Sequence, residues 1–178
     1  TVATLSGGNA QKVMLGKWLA GKPRLLVLHE PTQAVDVGAR HDIIDAIREA
    51  AREGCGVLLA SIDPSDLAVL CDRVLVLYRG RMMELADARA LFSLPLHPYT
   101  RELLDAVPIV DPDVQPGRLA VARRTAAPDA QNDEAPPTGC AFRGRCPHAI
   151  AECTARVPLW EAAGEGRRVA CHRFREIV

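Results

Sequence analysis

Three short apolar runs, Arg24–Leu28, Gly56–Ala60 and Arg73–Tyr78, alternate with two stretches of helical spacing, Val37–Arg52 and Pro64–Leu70. Strand, helix, strand, helix, strand at these lengths predicts βαβ units and a parallel sheet. The runs are continuous rather than alternating, so the strands are expected to be buried on both faces. Before them, Gly7–Ala20 has helical character, with Ser6 as a cap and Pro23 as its stop. A turn at Arg79–Gly80 leads into a further strand over Met82–Leu85. Three or four strands are too few for a doubly wound domain of this kind, so N-terminal strands are expected to be missing. The first residue is Thr1 rather than Met, which fits a piece of a longer polypeptide.

After Ala86 the texture changes. Asp87–Phe92 and Tyr99–Ala106 read as helices, and residues 107–137 hold six of the chain's 13 prolines, which predicts a linker. Residues 139–178 then carry four of the six cysteines. The expected division is therefore 1–92 as an α/β domain, 93–138 as a helix and Pro-rich linker, and 139–178 as a Cys-rich module.

Charge narrows the function. Lys and Arg together balance Asp and Glu at 22 each, and aromatics make up 4%, so neither a basic surface nor a base-stacking platform for nucleic acid is expected. No apolar run approaches the roughly 20 residues that span a bilayer, so membrane association is expected through a partner. No signal peptide is visible, which places the cysteines in a reducing compartment as thiols or ligands.

Leu5-Ser6-Gly7-Gly8-Asn9-Ala10-Gln11-Lys12 opens a helix with a serine and two glycines. Free N–H groups and positive dipole charge at such a terminus suit a phosphate, although an ordinary Ser-capped helix reads the same way. Within thirty residues follow Leu25–Thr32 (Leu-Leu-Val-Leu-His-Glu-Pro-Thr) and Gln33–Asp36. In this order and spacing the three resemble the signature motif, Walker B strand and D-loop of ABC transporter ATPases, over residues 1 to about 85. The Gly-Gly-Asn-x-Gln-Lys form and Asp36–Arg40 look like the sugar-importer branch. His97-Pro98-Tyr99-Thr100-Arg101, with Gly139-Cys140-x-Phe142-x-x-Arg145-Cys146-Pro147, resembles instead the C-terminal extension of oligopeptide, dipeptide and nickel importer ATPases.

The resemblance implies a partial P-loop-NTPase-type parallel sheet and a subunit coupling ATP hydrolysis to uptake of peptides, nickel or sugars. Ser6, Gly7 and Gly8 would touch the γ-phosphate of ATP, with its Mg²⁺, held by a second ABC ATPase domain, and Asn9 and Asp36 would belong to the same cofactor-binding set. Glu30 would act as general base and Asp36 would communicate across the pair. Membrane permease subunits and a solute-binding protein are the implied partners. The implied location is peripheral, on the cytoplasmic side of the inner membrane. Three departures oppose a complete enzyme. His29 stands where the Mg²⁺-steadying Asp is expected, and Ile62 stands at the switch-histidine position. Gly16–Lys22 fits the phosphate-loop spacing, but Pro23 replaces its Ser/Thr and it lies between a helix and a strand. A non-catalytic metal-binding or docking module, or a non-functional gene fragment, is the alternative reading.

Cys140, Cys146, Cys153 and Cys171 lack the C-x₂-C spacing of zinc knuckles, and buried free cysteines are one account of them. Forty residues with few large apolar side chains favour a shared metal that supplies folding energy. By resemblance a [4Fe–4S] cluster is preferred over Zn²⁺, with His148 and His172 as reserve ligands. Cys55 and Cys71 are expected in the core.

Overall fold

The computed structural model describes residues 7–107 and 138–177; Leu5, Ser6 and the Pro-rich stretch 108–137 lie outside the described residues. The described chain divides into two units, one running to Cys71 and the other starting at Asp72. The boundaries drawn from sequence at 92/93 and 138/139 are not where it divides.

In the first unit, α1 (Gly7–Leu19) leads to β1 (Leu25–His29), α2 (Val37–Arg52), β2 (Gly56–Ala60) and α3 (Pro64–Leu70). β1 and β2 pair in parallel, from Leu25 opposite Gly56 to His29 opposite Ala60. α2 starts where the Asp36 carboxylate caps the Ala39 N–H, and it ends before Gly54, whose φ of +95° favours glycine. Its apolar stripe of Ile43 and Ile47 packs with Leu15 of α1 and Leu26 of β1 to form the core, with Cys55 half-buried against it. The strands are not buried on both faces as expected. Leu25, Val27 and Leu58 are 61%, 64% and 61% exposed, because the helices pack on one face and no described element covers the other.

In the second unit, β3 (Arg73–Tyr78) and β4 (Arg81–Asp87) form an antiparallel hairpin, followed by α4 (Ala88–Ser93) and α5 (Pro98–Asp105). Arg79 and Gly80 both have positive φ, as a two-residue turn between twisted strands requires. After residue 137 come a short α6 (Ala151–Ala155) and two short strands, β5 (Glu161–Ala162) and β6 (Arg168–Val169). The sheet order is β3-β4-β6-β5, antiparallel throughout. Two expectations are corrected here. β3 belongs to this sheet and not to the parallel one, which has two described strands. The Cys-rich residues are not a free-standing module, since β6 continues the sheet that the hairpin begins. The fold class, mixed α/β, stands.

A bulge decides what this sheet buries. Val76 faces Glu84 but Leu77 faces Met82, so Met83 is the extra residue on β4. The break in alternation turns both Met83 and Glu84 inward, at 2% and 0% exposure. Ala170 N–H takes up the Met83 carbonyl at 2.9 Å.

Candidate functional sites: a helix terminus in the first unit and a cysteine cavity in the second

The start of α1 presents two glycines in different surroundings. Gly7 is exposed, and a Cβ placed there would meet nothing within 4 Å among the described residues. At Gly8 a Cβ would lie 2.8 Å from the Ala39 Cβ and 3.3 Å from the Asp36 Oδ2. Gly8 is therefore what lets α1 approach the start of α2, while Gly7 and Asn9 are exposed. Gln11 Nε2 donates to the Gln33 carbonyl at 3.2 Å and Lys12 pairs with Asp42 at 3.0 Å, fixing the same approach. Asp36 is spent as a cap: its Oδ1 accepts from Ala39 N–H at 2.8 Å.

Glu30 follows β1 directly, its N–H extending the ladder to the Ala60 carbonyl at 2.8 Å. Its φ is +48°, a conformation that costs a non-glycine residue roughly 1–3 kcal/mol and concentrates at working sites. The carboxylate is held from beyond β2: Ile62 N–H donates to Oε1 at 2.7 Å and Ser61 Oγ to Oε2 at 3.1 Å. Ile62 itself is 83% exposed. His29 ends β1 beside Glu30 and is exposed, so no carboxylate stands at the Mg²⁺-steadying position. Gly16 lies inside α1 and Lys22 in the turn before β1, which is the helix-to-strand context that a phosphate loop does not have.

Sequence reasoning missed one constellation here. Asp66 of α3 is 1% exposed and accepts from Arg40 at 3.0 and 2.7 Å and from the Thr32 hydroxyl. Arg40 reaches Asp63 as well, at 2.9 Å. The carboxylates hold the guanidinium above its ordinary pKa, the hydrogen bond to Asp66 first, with partial burial opposing. The network ties the Pro31–Thr32 turn to α2 and α3. Its only sequence signal was a charge on a seven-residue helix.

In the second unit, Cys140, Cys146, Cys153 and Cys171 line one small cavity, joined by His97 and Phe142. Cys140 and Cys153 are buried, Cys146 and Cys171 half-buried, and none is in a disulfide. Burial pushes the Cys140 thiol up to about 11, and charge on Cys153, Cys171 and Cys146 adds to the shift. Burial likewise raises Cys146 and Cys171. The donor set is of the soft kind that a thiophilic metal takes, four cysteines from separate segments lining one cavity. The expectation that they already stand as ligands is not met: among the described residues no group of three or more His, Cys, Asp or Glu side chains is placed to hold a metal ion. Burial disfavours the thiolate form at Cys140, Cys146 and Cys171, and the thiolate is what a metal takes up. The cavity has room for about one water-sized body. His148 and His172 border it too, but the His172 ring is engaged with the Arg156 carbonyl at 3.0 Å.

Two buried groups beside this cavity were not anticipated as site residues. Glu84 receives the N–H groups of Leu96 (3.0 Å) and His97 (2.9 Å) and pairs with Arg167 at 3.0 Å. His97, 1% exposed, caps α5 through Nδ1, which accepts from Tyr99 N–H at 3.0 Å. Burial depresses the His97 pKa to about 4. Tyr78, Tyr99 and Phe142 pack ring on ring with centroids 4.6 to 5.5 Å apart, and the Phe142 ring lies 5.9 Å from that of His97.

The first unit thus places Gly7 at a helix start, Glu30 at the end of a parallel strand and Asp36 as the cap of the next helix. Residues 83–153 match the family described as oligopeptide/dipeptide transporter, C-terminal region. The oligopeptide transport ATP-binding protein OppD of Salmonella typhimurium is 38% identical over 94% of the chain and 48% of its own length. YkfD of Bacillus subtilis, whose name provisionally assigns it to oligopeptide-transport ATP binding, is 36% identical over 96% of the chain and 51% of its own length. The chain is thus a relative of peptide-importer ATP-binding proteins and spans about half the length of those it matches. A metal-chelate type ABC transporter in an inward-facing conformation shares the fold, with a TM-score of 0.50 at 20% identity over 60% of the chain and 41% of that protein. Both named relatives span the two halves at once, so the sugar-importer likeness of residues 1–85 does not mark a separate origin. No helix among the described residues is long and apolar enough to cross a membrane.

Proposed function

We propose that this chain works as part of the ATP-binding subunit of an ABC importer for peptides, offering its signature helix to a nucleotide held by a second ATPase domain. The observation that carries this is the start of α1: a Cβ at Gly7 meets nothing among the described residues, while Gly8 lies close against Ala39 of α2. In that role the first-turn N–H groups, with Ser6 and Asn9, meet the partner's γ-phosphate and stabilise its charge. Glu30 acts as base toward water in the site that its own strand borders, once Ser61 and Ile62 release one of its oxygens. His29 supplies no carboxylate to Mg²⁺, so that site is the weaker of the two. Peptides are preferred to nickel or sugar because the named relatives are peptide-transport proteins along both halves. Permease subunits, a solute-binding protein and a peripheral place on the cytoplasmic membrane face follow from the same reading.

The cysteine cavity is read as a metal centre held by Cys140, Cys146, Cys153 and Cys171, four thiols on the lining of one cavity being its support. Bound there, a [4Fe–4S] cluster or Zn²⁺ would supply cross-linking of α6 to the strands, and the cluster electron exchange as well. Anaerobic purification with iron, sulfide and zinc analysis decides the occupant; protein free of all three sinks this part alone.

The ATPase reading is tested by Gly7→Asp in the assembled pair, which puts a negative side chain where the phosphate arrives. Loss of turnover at the partner's nucleotide by about 100-fold or more is expected, comparable to losing an oxyanion donor. Unchanged turnover with the pair still associated contradicts it.

A further inference from the structure

Glu30 is held at two ends, and both ends lead to the same side chain. Its backbone stands in the left-handed region at φ +48°, and Ala34, four residues on, does so at +57°. Neither is glycine, so the turn between them keeps its shape only where its surroundings fix it. Inside that turn Thr32 donates its hydroxyl to Asp66. At the other end the Glu30 carboxylate accepts the Ile62 N–H at 2.7 Å and the Ser61 hydroxyl at 3.1 Å. Ser61 Oγ in turn accepts the Asp63 N–H at 3.1 Å, and the Asp63 carboxylate caps α3 through the Ser65 N–H at 2.8 Å. Arg40 of α2 joins the two ends. Its Nε and Nη2 donate to Asp66 at 3.0 and 2.7 Å, and Nη2 also reaches Asp63 at 2.9 Å. Asp66 is 1% exposed, and a carboxylate that deep persists only with its donors in place.

We propose that Arg40 is the positioning residue of Glu30: through Asp66 and Thr32 it fixes the turn that carries the glutamate's backbone, and through Asp63 the Ser61–Ile62 segment that holds its carboxylate. The inference rests on reading Glu30 as the base. A planar guanidinium suits the task, because its N–H groups form a rigid fork that meets two carboxylates at once, where an ammonium is a single mobile charge. Arg40 acts on the geometry of the base and takes no part in the proton transfer. Its place in the first turns of α2, four residues after the Asp36 cap, ties that geometry to the helix that forms the core of this unit.

Hydrogen exchange at the Ile62 amide reads the hold directly. The residue is 83% exposed, so its N–H is protected by the Glu30 carboxylate and not by burial. Exchange is followed residue by residue in the full chain, with the Ile47 amide in the core of α2 as the reference for wider opening. Arg40→Ala is expected to speed Ile62 exchange about tenfold or more, the factor of one lost charge-assisted hydrogen bond, with Ile47 within about threefold of wild type. Arg40→Lys keeps the charge without the fork and should speed Ile62 by less, which keeps the test sound if the alanine variant does not fold. Arg48→Ala, at an arginine of the same helix that touches neither Asp63 nor Asp66, should change neither amide. Ile62 exchange at the wild-type rate in both Arg40 variants overturns the proposal. So does equal acceleration at Ile62 and Ile47, which would make Arg40 a general stabiliser of the unit. In the assembled pair, Arg40→Ala should lower kcat for ATP and leave KM unchanged. Faster Ile62 exchange with kcat unaltered keeps the positioning and defeats the reading of Glu30 as the base.

Discussion

In the unit up to Cys71, Glu30 and Asp36 stand at a turn and a helix start, while in the unit from Asp72, Glu84 and His97 are sealed inside. Glu30 and Asp36 touch solvent and are held by single N–H and hydroxyl donors. Glu84 and His97 are out of water, at 0% and 1% exposure, and each holds a piece of backbone in place. The first arrangement suits groups that must meet a ligand arriving from outside and then let go. The second suits groups that must stay matched, because a buried charge without its partner is far more costly than an exposed one.

The contrast breaks first at Glu84. Glu84→Leu strands Arg167, whose side chain is 14% exposed, and leaves the Leu96 and His97 N–H groups without an acceptor. A loss of about 3–5 kcal/mol is expected, confined to the second unit. The two tryptophans make this measurable, since Trp18 lies in one unit and Trp160 in the other. Urea unfolding followed by Trp160 in a Trp18→Phe background should shift strongly, and unfolding followed by Trp18 should not. Equal shifts in both signals would mean the units do not unfold separately.

Gly8 gives the next largest effect. Gly8→Ala drives a methyl to 2.8 Å from the Ala39 Cβ, and about 1–3 kcal/mol of overpacking should appear in the Trp18 signal. Gly7→Ala, one residue away in open space, should stay within about 0.5 kcal/mol. A reversed order would remove the division of labour between the two glycines. Asp36→Ala is smaller still, at about 1 kcal/mol for a lost cap, measured the same way.

The same contrast explains what could be read from the amino acids. In the first unit α2, β2 and α3 have the bounds that their periodicity and caps predict, because Asp36, Gly54 and Pro64 are local signals. The motif order also led to the right class. What failed was non-local. β3 reads like the parallel strands before it, and nothing in Arg73–Tyr78 says that it pairs with β4 instead. Glu84 breaks the apolar alternation of its strand and looks like a solvent-facing charge; the bulge at Met83 turns it inward, and Arg167, 83 residues later, satisfies it. The cysteines were legible as a group because their number in forty residues is unusual, yet it was not legible that among the described residues they are not placed to hold a metal ion. Asp66 and Arg40 are far apart in sequence and meet only when α3 packs on α2.

The central claim is that the start of α1 faces a nucleotide held by another ATPase domain, and Gly7 allows a direct measurement of that. Gly7→Cys adds a thiol where nothing lies within 4 Å, so the helix should tolerate it. Paired with a cysteine placed in the phosphate-binding loop of the partner domain, in an assembly otherwise stripped of reactive thiols, it should cross-link through a short bifunctional maleimide. The yield should rise on adding ATP with Mg²⁺ and fall again on its removal. A yield that ignores nucleotide, or no cross-link although the two proteins remain associated, would contradict the account.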